Sequence, residues 1–298
     1  MCPACGCPRF RLAVPETQIR AEIRWRSEFV RIRMGRRAGR AELKDLTEFM
    51  HGFPAPLLAC EGCGLLRRGE RSVRKAGHYE EDPNDLDLMS QLFPRYVEAF
   101  RRKAMFREWL PPRADVVEVG SHLGAFLQTA GEWNWNPVGL DIGRDTSEFI
   151  RRRGHAVQRA VLEDARVRER SQDAVFLWNL FEQLPDPEST LRAARGLLKR
   201  HGLVVIRVPS GAYYRRRDVP FLVRAYNNLL GFPYLHGYTR EALDLLLARA
   251  GMERLVEVKS ALLTMPFPDL PDRIGREQRE AQPPGPWMEL IYRDAAAR

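Results

Sequence analysis

From Pro112 onward the sequence predicts an α/β fold, a seven-stranded doubly wound sheet with crossover helices on both faces. Two observations carry that expectation. Short, nearly continuous apolar runs alternate with stretches of helical spacing, as strands buried on both faces alternate with the helices that cover them. Glycines and prolines punctuate the joints, at Pro111-Pro112, Gly202, Pro209 and Gly251. In order, a strand is expected over 116–119, then a glycine-bearing turn and a helix from about 122 to 132. The second strand covers 137–142 and its helix 145–153, and 155–162 reads as the third strand. The fourth covers 173–178, a helix follows over 187–200, and the fifth strand, 203–208, stops at Pro209. A helix over 239–250 precedes the sixth strand at 255–258, and 287–292 is the seventh.

Ahead of this body the pattern differs. Residues 1–75 read as short strands and turns, and the acidic, Pro-bearing stretch 80–85 marks a hinge. A helix over 86–110 then follows from Leu88, Leu92, Val97, Phe100, Ala104 and Trp109, despite Pro94. The chain of 298 residues therefore divides into a small module, 1–78, and a larger domain, 79–298. Within the latter, 211–237 is an aromatic insertion that includes Tyr213, Tyr214, Phe221 and Tyr226. It follows the carboxyl end of the fifth strand, where open α/β sheets bind ligands, so it is expected to act as a lid.

With 44% apolar and 29% charged residues, the composition excludes disordered, collagenous and membrane classes. No apolar run approaches the ~20 residues of a membrane span. The opening Met1-Cys2-Pro3-Ala4-Cys5 lacks an apolar signal stretch, so a cytoplasmic protein without a membrane span is expected. The net charge is +9, and residues 1–75 hold 16 Lys/Arg against 8 Asp/Glu, so a basic module sits on a nearly neutral body. Such a face suits a polyanion such as RNA or an anionic substrate, or is only solvated charge.

All five cysteines lie in the first quarter of the chain. Cys2-Pro3-Ala4-Cys5-Gly6 and Cys60-Glu61-Gly62-Cys63-Gly64 form two Cys-x-x-Cys knuckles, each followed by the glycine its turn needs. Four thiolates from Cys2, Cys5, Cys60 and Cys63 would close a tetrahedral shell, which predicts structural Zn2+ with an inserted hairpin over 20–40. Cys7 is left over. In the larger domain, Glu118-Val119-Gly120-Ser121-His122-Leu123-Gly124 places an acid and two glycines between strand and helix, and Asp141 ends the next strand 21 residues past Gly120. Such a turn binds phosphate or nucleoside, and the later acid suits ribose hydroxyls. His122 occupies the position of the second glycine of a dinucleotide fingerprint, and Glu118 would repel a pyrophosphate. Both favour a ligand with a cationic amino group, such as S-adenosylmethionine, over NAD.

On these residues, with Gly139-Leu140-Asp141 and the stretch 173–209, the sequence resembles class I S-adenosylmethionine-dependent methyltransferases that carry an N-terminal zinc-knuckle module. The resemblance implies a Rossmann-like sheet. It implies that Glu118, Gly120, Ser121, His122 and Gly124 hold the methionine part of the cofactor, and Asp141 with Ile142 the ribose. The adenine edge falls to 160–163, including Val161 and Leu162, while Asn179 and Phe181 lie below the donor methyl. The chain departs from its relatives at His122, which breaks the glycine run, and at Gln183, where many have a histidine. For catalysis, His236 and then His122 are the candidate bases, with Tyr213 or Tyr214 orienting the acceptor. The expected function is methyl transfer to a small molecule (a saccharide, nucleotide-sugar or secondary metabolite), at O or N rather than C. Arg215-Arg216-Arg217 suits an anionic acceptor. The alternatives are an RNA methyltransferase that uses the basic module, and a non-catalytic scaffold on the same fold.

Overall fold

The computed structural model describes residues 1–19, 55–69, 86–215, 235–258 and 287–296. The expected hairpin over 20–40, the hinge at 80–85 and the module boundary at 78 lie outside these residues. So does the insertion from 216 to 234. Among the described residues there are two sheets. A small antiparallel sheet is built from β1 (Phe10–Val14), β2 (Leu57–Cys60), β3 (Leu66–Arg68) and β9 (His236–Gly237). The last of these strands comes from the far end of the insertion, where Leu66 pairs with Gly237 and Arg67 with His236.

The large sheet has the order β10-β11-β8-β7-β4-β5-β6. Its strands are β4 (Asp115–Val119), β5 (Asn136–Leu140), β6 (Val157–Gln158), β7 (Gln172–Trp178), β8 (Leu198–Pro209), β10 (Met252–Glu257) and β11 (Trp287–Asp294). The five strands from β6 to β8 are parallel, as expected. β11 departs from that expectation and runs antiparallel between β8 and β10. All seven strands are where the sequence put them, but the sheet is mixed.

Alternation along the strands sorts the core onto two faces. Val117, Val119, Val175, Leu177, Val204 and Ile206 pack under α4 (Pro187–Leu197) and α6 (Arg240–Arg249), in one cluster with Cys2, Cys60 and Cys63. Val116, Phe176, Trp178 and Val205 face the other way, against Phe100 of α1 (Leu86–Arg101) and Phe126 of α2 (Ala125–Glu132). Trp133 and Trp135 belong to this second core.

Several boundaries differ from the sequence reading. The helix expected over 86–110 ends at Arg101 and resumes as a 3-10 turn at Ala104–Trp109, because Lys103 leaves it to bury its ammonium against Glu289. The third strand shrinks to Val157–Gln158 at the sheet edge, since the following residues turn away to line a cleft. The helix expected to reach Arg200 stops at Leu197. There β8 begins with an irregularity that carries Lys199 to Asp115 and Asp173, at 3.0 and 2.8 Å.

Candidate active site and metal centre

The turn after β4 is built on two left-handed glycines, Gly120 (φ 73°) and Gly124 (φ 71°). A Cβ on Gly120 would lie 3.1 Å from Leu180 Cδ1, and one on Gly124 3.0 Å from Ile150 Cγ1, so both conformation and space demand glycine. His122 stands between them, itself left-handed (φ 48°) and exposed. Its backbone N–H donates to Asp141 Oδ2 at 2.7 Å, while Asp141 Oδ1 accepts from the Gly143 N–H (2.9 Å) and the Thr146 hydroxyl (2.6 Å). Thr146 lies on α3 (Arg144–Arg152), so one carboxylate fastens the turn after β4 to the turn after β5. Sequence reasoning missed Gly143 and Thr146. An acid followed by glycine and then by a hydroxyl residue was the available signal. Ser121 is buried and donates to the Glu118 and Leu140 carbonyls.

Glu118 is buried, and its Oε2 has no hydrogen-bond partner. Burial first, and then the charge of Asp141, holds its carboxyl well above the usual carboxylate range. An orphaned buried acceptor calls for a donor, and a cationic donor would reverse the shift. A cleft of about 810 Å³ opens beyond β5 and β6, lined in part by Ile142, Arg159, Ala160, Val161 and Asp164. Leu162 instead packs in the core, and Glu163 accepts from the Thr190 hydroxyl at 2.7 Å. Asp164, one residue past the expected edge, is the acid that stays in the cleft.

On the other side of β4, Asn179 follows β7 in a left-handed conformation (φ 53°). Arg207 of β8 holds it twice: the Arg207 carbonyl accepts from the Asn179 N–H at 2.9 Å, and the guanidinium donates to Asn179 Oδ1. Arg207 Nε donates to Glu289 Oε1 at 3.0 Å, and the Lys103 ammonium reaches the same oxygen. Lys103, Arg207 and Glu289 are each about 1% exposed. Burial pulls the Lys103 pKa down to about 8 against the opposing attraction of Glu289. Sequence reasoning named none of the three, although Arg207 and Glu289 each interrupt an otherwise apolar run; Lys103 follows Arg101-Arg102 and carries no such mark.

The remaining expected residues are distributed unevenly. Phe181 is fully buried, its ring 5.2 Å from that of Tyr238. Tyr213 is fully buried as well, and Tyr214 packs with Val14, Leu57 and Leu66 inside the small sheet. His236 is held by burial, and then by the charge of Arg67, at a pKa of about 4, despite a hydrogen bond to the Leu184 backbone. An imidazole with that pKa is neutral at pH 7 and a weak base. Gln183 donates from its amide to the Asn179 carbonyl at 2.7 Å.

The four knuckle cysteines converge, their Sγ atoms all within 4.8 Å of one another. Cys2 and Cys63 are 3.6 Å apart and Cys5 and Cys60 3.5 Å, close to the ~3.8 Å edge of a tetrahedron with Zn–S bonds of about 2.3 Å. Gly6 and Gly64 are left-handed beneath them (φ 72° and 73°). Cys7 points elsewhere, with its thiol 3.7 Å from the Arg9 carbonyl. The donor set fits a closed, structural Zn2+ site.

A family model described as a methyltransferase domain matches residues 90–258, more than half of the chain. The fold is shared with an S-adenosylmethionine-dependent methyltransferase from Mesorhizobium loti (18% identity, TM-score 0.50, 66% of this chain and 99% of that one). A methyltransferase of the same dependence from Archaeoglobus fulgidus also aligns (16% identity, TM-score 0.50, 70% and 100%). So does a chain from the complex between the Haloferax volcanii Trm112 methyltransferase activator and a methyltransferase (13% identity, TM-score 0.50, 68% and 97%). No curated protein matches the sequence.

Proposed function

The chain belongs to the methyltransferase-domain family, as a class I S-adenosylmethionine-dependent methyltransferase, and from that premise we propose that its acceptor is a small molecule. When bound, S-adenosylmethionine supplies an electrophilic methyl on a sulfonium. In this reading Glu118 accepts hydrogen bonds from the amino end of the cofactor, while Gly120, Ser121, His122 and Gly124 let the backbone approach it. Asp141 keeps its ties to the two turns and adds a ribose hydroxyl. Ile142, Val161 and Asp164 border the adenine, with Leu162 as the floor behind them. Asn179, fixed by Arg207, would help hold the cofactor at its sulfonium end. Phe181, Tyr213 and Tyr214 act from the core as supports, and His236 orients rather than deprotonates. Transfer to O or N then rests on positioning. Zn2+ on Cys2, Cys5, Cys60 and Cys63 has a structural role and takes no part in the reaction.

One observation carries the small-molecule reading. In its described residues the cysteine module does not stand free of the larger domain. Its sheet is completed by β9, its core encloses Tyr214, and Thr239 at the start of α6 donates to the Cys63 carbonyl at 2.8 Å. It therefore packs beside the segment that follows the carboxyl end of β8, a position that suits an enclosed acceptor. Titration of the zinc-replete protein with S-adenosylhomocysteine should give a dissociation constant on the order of micromolar, about −8 kcal/mol. Methyl label from the donor should then appear in the small-molecule fraction of a cell extract. Absence of S-adenosylhomocysteine binding to the folded protein would point to the scaffold. Label found in RNA would point to the nucleic-acid reading.

A further inference from the structure

A second cleft, of about 310 Å³, lies between the small sheet and α5 (Gly211–Tyr214), and Arg11, Gln18, Ala59, Tyr214 and Arg215 are among its lining residues. Its position follows from the chain path. α5 begins two residues after β8 ends, is capped by Ser210, whose Oγ accepts from the Tyr213 N–H at 3.1 Å, and is pressed against β9. A Cβ on Gly211 would come within 2.5 Å of the Gly237 carbonyl oxygen. Arg215 thus lies just past the carboxyl end of β8, at the end of α5. Arg11 reaches the same cleft from β1, from the face it shares with Ala59 and Leu66.

The electrostatics of this cleft are one-sided. Among the described residues no carboxylate pairs with Arg11 or Arg215. Arg215 is only partly exposed, and its Nε is buried without a hydrogen-bond partner. Burial, and then the like charge of Arg11, draws the Arg215 pKa below its ordinary value. A buried donor left unpaired is unfavourable and is relieved by an acceptor. Two guanidinium groups at one cleft, one with an orphaned N–H, match the forked acceptors of a phosphate better than any neutral ligand.

We propose that the Arg11–Arg215 cleft binds the phosphate or diphosphate of a phosphorylated small-molecule acceptor. This rests on the methyl-transfer reading above and narrows its substrate class. The anion is held by Arg215 from the insertion side and Arg11 from the cysteine module, so the module contributes directly to acceptor recognition. The volume, at the lower end for small-ligand sites, suits the charged end of an acceptor whose reacting atom extends toward Asn179.

The test is calorimetric titration with inorganic pyrophosphate, and separately with S-adenosylhomocysteine, on the wild type, Arg215→Gln and Arg11→Gln. Arg11 is exposed, so its variant should fold even if the partly buried Arg215→Gln does not. Each substitution should weaken pyrophosphate binding tenfold or more and change S-adenosylhomocysteine binding by less than about twofold. Equal pyrophosphate binding by wild type and both variants, or none by the wild type, overturns the site while leaving the donor reading intact if S-adenosylhomocysteine still binds. Arginine-dependent pyrophosphate binding without S-adenosylhomocysteine binding keeps the anion site and removes the methyl-transfer reading. Binding of a short RNA oligomer far tighter than pyrophosphate, lost in both variants and falling steeply with salt, overturns the small-acceptor assignment in favour of a nucleic acid.

Discussion

At the scale of single residues, the acid Glu182 is as unusual as Glu118. It is fully buried in the turn after β7, and neither carboxylate oxygen has a hydrogen-bond partner. Burial raises its pKa to about 8, against the lowering effects of its own backbone N–H and the charge of Arg207. The Tyr238 hydroxyl, also buried and unpartnered, has its pKa raised by burial and then by the charge of Glu182. The consequence for stability has a definite sign. Below the ordinary carboxylate pKa both folded and unfolded chains hold the proton, and there is no penalty. As pH rises toward 8 the unfolded chain releases a proton that the folded chain keeps. Stability then falls by about 1.4 kcal/mol per pH unit, until both states are ionised. Glu182→Gln removes this dependence. Urea melts from about pH 5 to about pH 9 should show the variant gaining on the wild type until pH 8 and then running level. A stability difference that stays constant across this range would mean that Glu182 ionises normally.

At the scale of elements, the buried network of Lys103, Arg207 and Glu289 joins α1's exit, β8 and β11, and through Asn179 the turn after β7. Glu289 is its shared acceptor. Glu289→Gln leaves two buried cations without that counter-charge, and breaking a buried pair in this way typically costs about 3–5 kcal/mol. Lys103→Met keeps Glu289 paired with Arg207 and should cost less than half as much. Denaturant midpoints of the two variants check the order, and equal losses would show that Glu289 is not the hub. The network also shows where sequence reading stops. Strand runs such as Val204-Val205-Ile206 and the spacing from Gly120 to Asp141 are local patterns, so the sheet and the residues proposed for the donor were legible. Glu289 and Arg207 are 82 residues apart and Glu289 and Lys103 are 186 apart, and only the antiparallel entry of β11 brings them together. A lone charge within Val205-Ile206-Arg207-Val208 or Met288-Glu289-Leu290 was the visible trace. Phe181 and Tyr213 are both buried, which the sequence could not tell: aromatic residues near strand ends fit a pocket and a core equally well, and packing decides how far each is covered.

At the scale of the whole molecule, the cysteine cluster and the methyltransferase sheet share one apolar core, so an ion held by the cluster would act beyond its own knuckles. Both knuckles are fastened to α6. Arg249 donates to the Pro3 carbonyl at 2.8 Å, and the Thr239 hydroxyl, which caps the helix by accepting from the Ala242 N–H, donates to the Cys63 carbonyl. Release of Zn2+ from the proposed site would leave four clustered thiols without the ion that orders them, and structural zinc commonly contributes on the order of 10 kcal/mol to such folds. The loss should spread along the β3–β9 pairing to the Arg11–Arg215 cleft. The turns around Glu118, Gly120 and Asp141 lie toward the other edge of the sheet, beside β5, and should be spared. Treatment with a strong chelator is therefore expected to lower the melting temperature, expose the cysteines to thiol reagents and abolish pyrophosphate binding. S-adenosylhomocysteine affinity should change by less than about threefold. An unchanged melting curve would remove the metal from the fold. Loss of S-adenosylhomocysteine binding together with pyrophosphate binding would mean that the module builds the donor site as well, not only the Arg11–Arg215 cleft.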